Sequence, residues 1–566
     1  MKIMSSLSRW VPILEWLPVY QRPNLRGDVI AGLTTGMMLI PQAMSYALLA
    51  GLPPIIGLYA SILPIVAYAI FGTSRQLAVG PAAMIALLVT SEVGRLADAG
   101  SEQYVVLAIF LSLMVGVIQF LMGALRLGFI TNFMSHPVIS GFTSAAALII
   151  GFSQLGHLLG ISLPRTENIA KIIHLTIQQL ALIHLPTLVI GLGGVILLVV
   201  LKKISPLLPG PMIVVIISTL LVWGLNLDHM GVRTVGQVPP GLPIFSVPDV
   251  DSSQWLSLLP IALTIAFMGF IESIAVARKI AREKRYEIDA NKELVALGIA
   301  NIVASFFKAM PVAGGFGRTA VNNSAGANTA LASLITAAVI AIALVFFTPL
   351  FYFIPKAILG SIIMLAVASL VDFQEIKHLW KVKKEDLGLL GLTFIATLTI
   401  GVKEGIFIGI GASLLWFVVK TTRPHYAVLG RLPGTRDYRN VLRHSVETDN
   451  GVLVLRFDAQ FYYGNVSFLK ETIKKHLHDT EGKVHAVVID ACSINQLDSS
   501  ADTALHELLD EYRVKQIEFY FSYVKGPVLD VMSRSGFVQR VGSDHFFNNT
   551  HDAVIVARER QVAEIK

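Results

Sequence analysis

From residue 29 to residue 420 the chain is a near-continuous series of apolar segments. Each is about the length needed to cross a bilayer, roughly 20 residues as a helix. Inside a membrane every backbone N–H and C=O must be satisfied within the protein, so such segments are read as helices. The candidate spans are 29–49, 53–71, 77–91, 104–125, 134–152, 185–201, 211–226, 257–277, 293–307, 312–328, 329–348, 355–371, 387–402 and 405–420. Over the whole chain 54% of residues are hydrophobic and 15% charged, and the charges concentrate after Thr421. The sequence therefore predicts an all-α polytopic membrane domain over 1–422, a basic linker over 423–445 and a soluble α/β domain over 446–566. The stretch 153–184, with Arg165, Glu167 and Lys171, reads as a loop with a surface helix.

The net charge of +7 does not point to nucleic acid. The basic residues sit between spans (Arg126, Lys202 and Lys203, 278–285, 377–384) and in the linker (Arg423, Arg431, Arg436, Arg439, Arg443). With an even number of spans and an N-terminus inside, all of these fall on the cytoplasmic face, as the positive-inside rule requires. The expectation is a multi-pass cell-membrane protein with both termini cytoplasmic and anionic lipid headgroups beside the linker arginines. The 1–28 segment lacks the pattern of a cleaved secretory signal. One cysteine, Cys492, leaves no intrachain disulfide and is expected as a small core residue. It cannot make a metal site alone. No cofactor or metal is expected, apart from a coupling proton or sodium ion.

Two spans break the pattern. Segment 77–91 is short and carries Gly80-Pro81 near its start, and 312–328 is interrupted by Gly314, Gly315 and Gly317 and carries Arg318. They are third among the first seven spans and third among the second seven, which is where an inverted-repeat transporter places its site. The first spans of the two halves align loosely, with Gln42 opposite Glu272. If the chain is extended up to Gly80 and Gly315 and helical afterwards, two helices begin inside the membrane. Their unpaired N–H groups and dipoles then face an anion. That site comprises Leu77, Ala78 and Gly80 on one side and Gly314, Gly315, Phe316, Gly317, Arg318 and Thr319 on the other, with Arg318 offering a forked charge and Thr319 a hydroxyl. The competing reading is close helix packing by small residues, with Arg318 reaching an interface. Glu272 is the one acidic residue of the apolar run 266–277. It can take a proton, ligate sodium, pair with Arg318, or simply reach water at a helix end.

The residues Asp28-Val-Ile-Ala-Gly-Leu-Thr-Thr-Gly, Ile40-Pro41-Gln42-Ala43-Met44-Ser45-Tyr46-Ala47, Ala50-Gly51-Leu52-Pro53-Pro54-Ile55-Ile56-Gly57-Leu58-Tyr59 and Phe71-Gly72-Thr73-Ser74-Arg75 resemble the signature of the sulfate permease (SulP) family of anion transporters. Phe316-Gly317-Arg318-Thr319-Ala320-Val321-Asn322 resembles that family's tenth-span motif, with Gly317 where many members have serine. The resemblance implies a seven-plus-seven inverted repeat with gate and core domains, an anion between the third and tenth spans, an elevator-like shift of the core, and a homodimer. It also implies that Gln42 and Tyr46 line the site and that Glu272 couples transport to a proton or sodium.

The tail alternates strands (452–457, 487–490, 517–522) with helices (464–478, 499–514, 528–535). Residues 487–501, including Asp498-Ser499-Ser500, resemble a STAS domain, and Ser500 stands at the position phosphorylated in anti-sigma factor antagonists. The same three residues make an ordinary helix cap. The expected function is secondary active transport of an inorganic anion, sulfate foremost, by proton- or sodium-coupled symport. No catalytic residue is expected. Alternatives are bicarbonate or dicarboxylate transport, a passive anion channel or exchanger, and a STAS-based signalling receptor with a cytosolic protein partner.

Overall fold

The computed structural model describes residues 11–129, 135–163, 166, 168–205, 207–449, 451–479 and 484–564. Arg165 and Glu167, expected in the surface loop, lie outside the described residues. The chain divides into two compact units, 1–413 and 414–566.

In the first unit each of the fourteen expected segments carries helix. The helices are α1 (Arg22–Leu49), α2 (Leu63–Phe71), α3 (Ala83–Val93), α4 (Glu102–Ala124), α5 (His136–Ser153), α6 (Leu185–Ile204), α7 (Gly210–Gly224), α8 (Ser252–Lys284), α9 (Ala290–Phe306), α10 (Phe316–Ser324), α11 (Leu331–Phe346), α12 (Lys356–Ala368), α13 (Lys384–Thr399) and α14 (Val402–Thr422), which ends in the second unit. Proline opens α1, α2, α5, α6 and α7, where its missing N–H costs nothing and its fixed φ suits a helix. Among the described residues, seven stretches are long and apolar enough by themselves to span a membrane, which makes this a multi-pass membrane protein. Most of the other helices are too short for that test, such as α3 with 11 residues and α10 with 9. The α3 and α10 helices are short because part of each of those two segments runs extended.

The packing carries the internal repeat. Exchanging helix n with helix n+7 maps one contact onto another. The pair α4–α9 becomes α11–α2, α1–α11 becomes α8–α4, α5–α13 becomes α12–α6, and α1–α10 becomes α8–α3, and all eight pairs are present. The pairs α2–α9 and α5–α12 map onto themselves. Many of the strongest contacts thus fall within two groups, α1–α4 with α8–α11 and α5–α7 with α12–α14.

At the centre of the first group, two short strands, β1 (Val79–Gly80) and β2 (Ala313–Gly314), pair antiparallel, Val79 opposite Gly314 and Gly80 opposite Ala313. These are the two breaks expected from the glycines. Buried carboxylates anchor their flanks. Glu293 on α9 accepts from Tyr68 Oη at 2.6 Å, from Thr73 N at 2.6 Å and from Ser74 N at 3.0 Å. Asp28 on α1 accepts from Asn328 N at 2.7 Å and from Thr329 Oγ1 at 2.7 Å. Their role was not legible in the sequence, where each reads as a charge near a span end.

The second unit is a six-stranded sheet. It comprises β3 (Tyr426–Arg431), β4 (Tyr438–Asn440), β5 (Val452–Phe457), β6 (Ala486–Asp490), β7 (Glu518–Ser522) and β8 (Phe546–Phe547), in the order β4-β3-β5-β6-β7-β8. Pairs from β5 to β8 are parallel, while β3 is antiparallel to both its neighbours. Alternate residues face opposite sides of a strand. Leu453, Leu455, Val487, Ile489 and Phe521 form one core with α15 (Val466–Asp479), α16 (Ser499–Arg513) and α17 (Gly526–Arg534). Val452, Val454, Val488 and Tyr520 form a second with Ala553, Val554 and Ala557 of α18 (Thr550–Glu564). Residues 423–445, expected as a linker, instead contribute β3 and β4 to this sheet. Arg431 and Arg439 are strand positions, while Arg423, Arg436 and Arg443 lie in the bends and turns around them.

Cys492 also departs from expectation. It is half-buried just beyond β6, its N–H donating to Asp490 Oδ1 at 3.1 Å. Burial and the neighbouring Asp490 carboxylate push its thiol above the usual range. A thiol of raised pKa is mostly uncharged at pH 8, and the thiolate is the nucleophile. Alkylation of this single cysteine by iodoacetamide is therefore expected to be slower at pH 8 than that of a free thiol, with the rate rising only at higher pH. A rate–pH profile with an ordinary midpoint contradicts this.

Candidate functional site

Extended backbone in a membrane interior must find partners for its N–H and C=O groups. Around β2 they come from polar side chains on neighbouring helices. Asn301 on α9 works like a strand edge: its Oδ1 accepts from Val312 N at 2.8 Å and its Nδ2 donates to Val312 O at 3.1 Å. Gln119 on α4 holds Asn301 in place at 2.9 Å. Ser112 donates to Ala309 O at 3.0 Å, and Ser273 on α8 accepts from Gly314 N at 2.8 Å. Around β1 the partners come from α10. Ala78 N donates to Thr319 Oγ1 at 3.1 Å, Asn322 Nδ2 donates to Gln76 O at 2.9 Å, and Gly315 N donates to Ala78 O at 3.1 Å.

Arg318 closes the arrangement. It is 4% exposed. One terminal nitrogen donates to Pro81 O, from the first break, and the other to Ala313 O at 3.4 Å, from the second. Its Nε has no protein partner. The guanidinium lies on the glycine backbones, and a Cβ built on Gly315 would stand 2.9 Å from its Cζ. Glycine at 315 therefore leaves room for the buried Arg318 guanidinium. The fork expected for an oxyanion is largely engaged with carbonyls, and Arg318 is not ion-paired to Glu272.

Beside this junction lies a cavity of about 400 Å³. Met38, Gln42 and Tyr46 line it from α1 at four-residue spacing, one helical face. The first residues of α3 (Ala83, Met84) and α10 (Phe316, Gly317, Arg318) line it too, so both helix N-termini meet there. The first N–H groups of a helix have no intrahelical acceptor and carry partial positive charge. Glu272 on α8 and, from the other helix group, Lys202, Ser205 and Ser369 complete the wall. Gln42 is 5% exposed with Oε1 unpartnered.

The structure thus brings Gln42, Tyr46, Glu272, Gly315, Phe316, Gly317 and Arg318 to one cavity. It keeps Leu77, Ala78, Gly80, Gly314 and Thr319 off the cavity wall. Leu77 packs where a Cβ on Gly314 would lie, and the Thr319 hydroxyl is occupied by Ala78 N–H. Ala83 and Met84 were missed because nothing marks them except their place after Pro81. Asn301, Gln119 and Ser273 were missed as well. Their signal was available: each is a polar side chain within an apolar run. In the other unit, Asp498 Oδ1 accepts from Ala501 N at 2.8 Å, the capping arrangement, and Ser500 is exposed.

The family model described as the sulfate permease family matches residues 25–393. The chain belongs to the sulfate permease family. A STAS domain model matches residues 443–553 of this permease. The chain is 39% identical to "Sulfate transporter 4.1, chloroplastic" of Arabidopsis thaliana, over 98% of this chain and 84% of that one. It is 33% identical to "High affinity sulfate transporter 2" of Stylosanthes hamata, over 98% and 87%. In fold it matches the murine solute carrier 26 family member A9 anion transporter with a TM-score of 0.90 at 24% identity, covering 98% of this chain and 95% of that one. The transmembrane domain of a cyanobacterial bicarbonate transporter matches with a TM-score of 0.62 at 23% identity, over 69% and 99%.

Two substitutions separate scaffold from cavity. Asn301→Ala strands both polar groups of Val312 and is expected to destabilise the permease by about 2–5 kcal/mol, read as a lower thermal midpoint in detergent. A Cβ on Gly317 meets nothing within 4 Å. Gly317→Ser should leave that midpoint unchanged and alter anion affinity, measured by competition uptake.

Proposed function

We propose that this permease is a secondary active transporter of inorganic oxyanions, with sulfate its principal substrate, driven by a proton or sodium gradient. The observation that carries this reading is the meeting of two helix N-termini, α3 and α10, at one cavity that also holds a carboxylate, Glu272. Helix N-termini bind oxyanions through backbone N–H groups without a dedicated formal charge. The unpartnered Nε of Arg318 and the buried Gln42 side chain add polar groups suited to an oxygen-rich ligand. The relatives named as sulfate transporters support sulfate.

Glu272 favours coupling over passive conduction. An acidic group beside an anion site repels the substrate unless a cation accompanies it, so a proton or sodium on Glu272 and the anion above α3 and α10 assist one another. The cavity is lined by both helix groups, and we read its mouth at Lys202 and Ser369, which are exposed members of its wall. We place that mouth in the cytoplasm, because the basic residues cluster at the same end of the spans. Movement of the α1–α4 and α8–α11 group against the other, elevator-like, would carry the site to the opposite face.

Full-length protein in liposomes is expected to accumulate labelled sulfate when an inward proton or sodium gradient is imposed. Uptake indifferent to both gradients would rule out symport. Glu272→Gln is expected to abolish gradient-driven accumulation while sulfate–sulfate exchange continues. Persistence of accumulation in that variant removes Glu272 from coupling. Excess bicarbonate or succinate should compete poorly with sulfate, and strong competition would reassign the substrate.

A further inference from the structure

A second cavity, of about 780 Å³, lies at the other end of α3. The first residues of α3 line the anion cavity, and Leu87, Thr90 and Ser91 line this one. The α3 helix, 11 residues long, therefore runs from one cavity to the other over about 15 Å. The opposite wall of the second cavity comes from the other helix group, through Ser153 and Gln154 at the end of α5 and through 397–401, the last residues of α13 and the turn into α14.

At this end a charge cluster crosses between the two helix groups. Glu92, 9% exposed on α3, accepts from Lys403 Nζ on α14 at 2.9 Å. Arg95 lies 3.1 Å from Glu92 and 3.7 Å from Glu404. The Lys403 side chain is itself only 22% exposed. Breaking one partner of such a pair leaves an uncompensated charge with little water, whereas an exposed pair contributes almost nothing. The Glu92–Lys403 contact joins the helix that builds half of the anion site to the group against which that site would have to move.

We infer that Glu92 and Lys403, with Arg95 and Glu404, form a latch that holds α3 against α14 and stabilises the state in which the anion cavity opens at Lys202. Reaching the opposite state requires the Glu92–Lys403 contact to separate. The latch thereby sets the balance between the two states without touching the anion. This inference rests on the reading that the two helix groups move against each other.

The test uses full-length protein in nanodiscs, where both faces meet the reagent, with Cys492→Ser as background. Ser153→Cys reports the second cavity and Ser369→Cys the anion cavity, each by its rate of labelling with a charged maleimide. Glu92→Gln and Lys403→Gln are each expected to raise the ratio of the Ser153→Cys rate to the Ser369→Cys rate about tenfold. The charge-reversed double variant, Glu92→Lys with Lys403→Glu, is expected to bring the ratio back to the reference. Glu92→Asp, a milder change for the case in which the neutral variants fail to fold, must move the ratio in the same direction. Sulfate is added to the reference protein in parallel. A ratio that responds to sulfate but not to any latch substitution overturns the latch and leaves the moving-group reading intact. A ratio that responds to neither overturns both.

Discussion

The fold of this permease depends on a demand that the bilayer makes and water does not. Any backbone that leaves the helix must be supplied with hydrogen-bond partners from within the protein. Two segments leave it, around β1 and β2, and much of the polar chemistry inside the first unit serves them. Asn301 replaces a missing strand, Ser273 and Ser112 cap single groups, and Thr319 and Asn322 of one break hold the backbone of the other. Arg318 bridges both by donating to one carbonyl from each. The two N-termini that face the cavity each follow a strand held by these bonds.

That requirement explains which parts of the structure could be read beforehand. The positions of the breaks were legible because Gly80-Pro81 and Gly314-Gly315 interrupt otherwise apolar runs, and the repeat was legible because the interruptions fall at equivalent places. Arg318 and Glu272 stood out as charges at membrane depth. The division of labour among nearby residues was not legible. Thr319 and Arg318 are adjacent in the helix and look equally suited to an anion, yet the first is occupied by Ala78 and the second is largely engaged with carbonyls. Only the three-dimensional path of the first break decides that.

The second unit shows the opposite balance. Strands β5 and β6 announce themselves as β-branched runs and β7 as an aromatic one, set between amphipathic helices, and α16 appears where its capping aspartate placed it. The missed elements include β3, β4, β8, α18 and the short helix Phe537–Val541. Edge strands such as β4, at three residues, carry too little pattern to register, and the arginines of 423–445 read as a basic tether until the partner strands are known. The half-buried Cys492 follows from the same cause: the end of a strand looks like its middle until the turn after it is seen.

The helix α9 has a consequence that reaches beyond its own hydrogen bonds. Glu293 fixes the turn that enters the first break, and Asn301 fixes the second break, eight residues further along the same helix. Eight residues of α-helix amount to about 12 Å of rise and a rotation of about 80° beyond two full turns. The α9 helix is therefore a ruler: the separation and relative rotation of the two half-cradles are graduated by a covalent helix rather than by the soft packing between neighbours. A ligand contacting both half-cradles meets a gauge of fixed length, and one residue inserted between the two marks would turn one half of the cradle away from the other by about 100°.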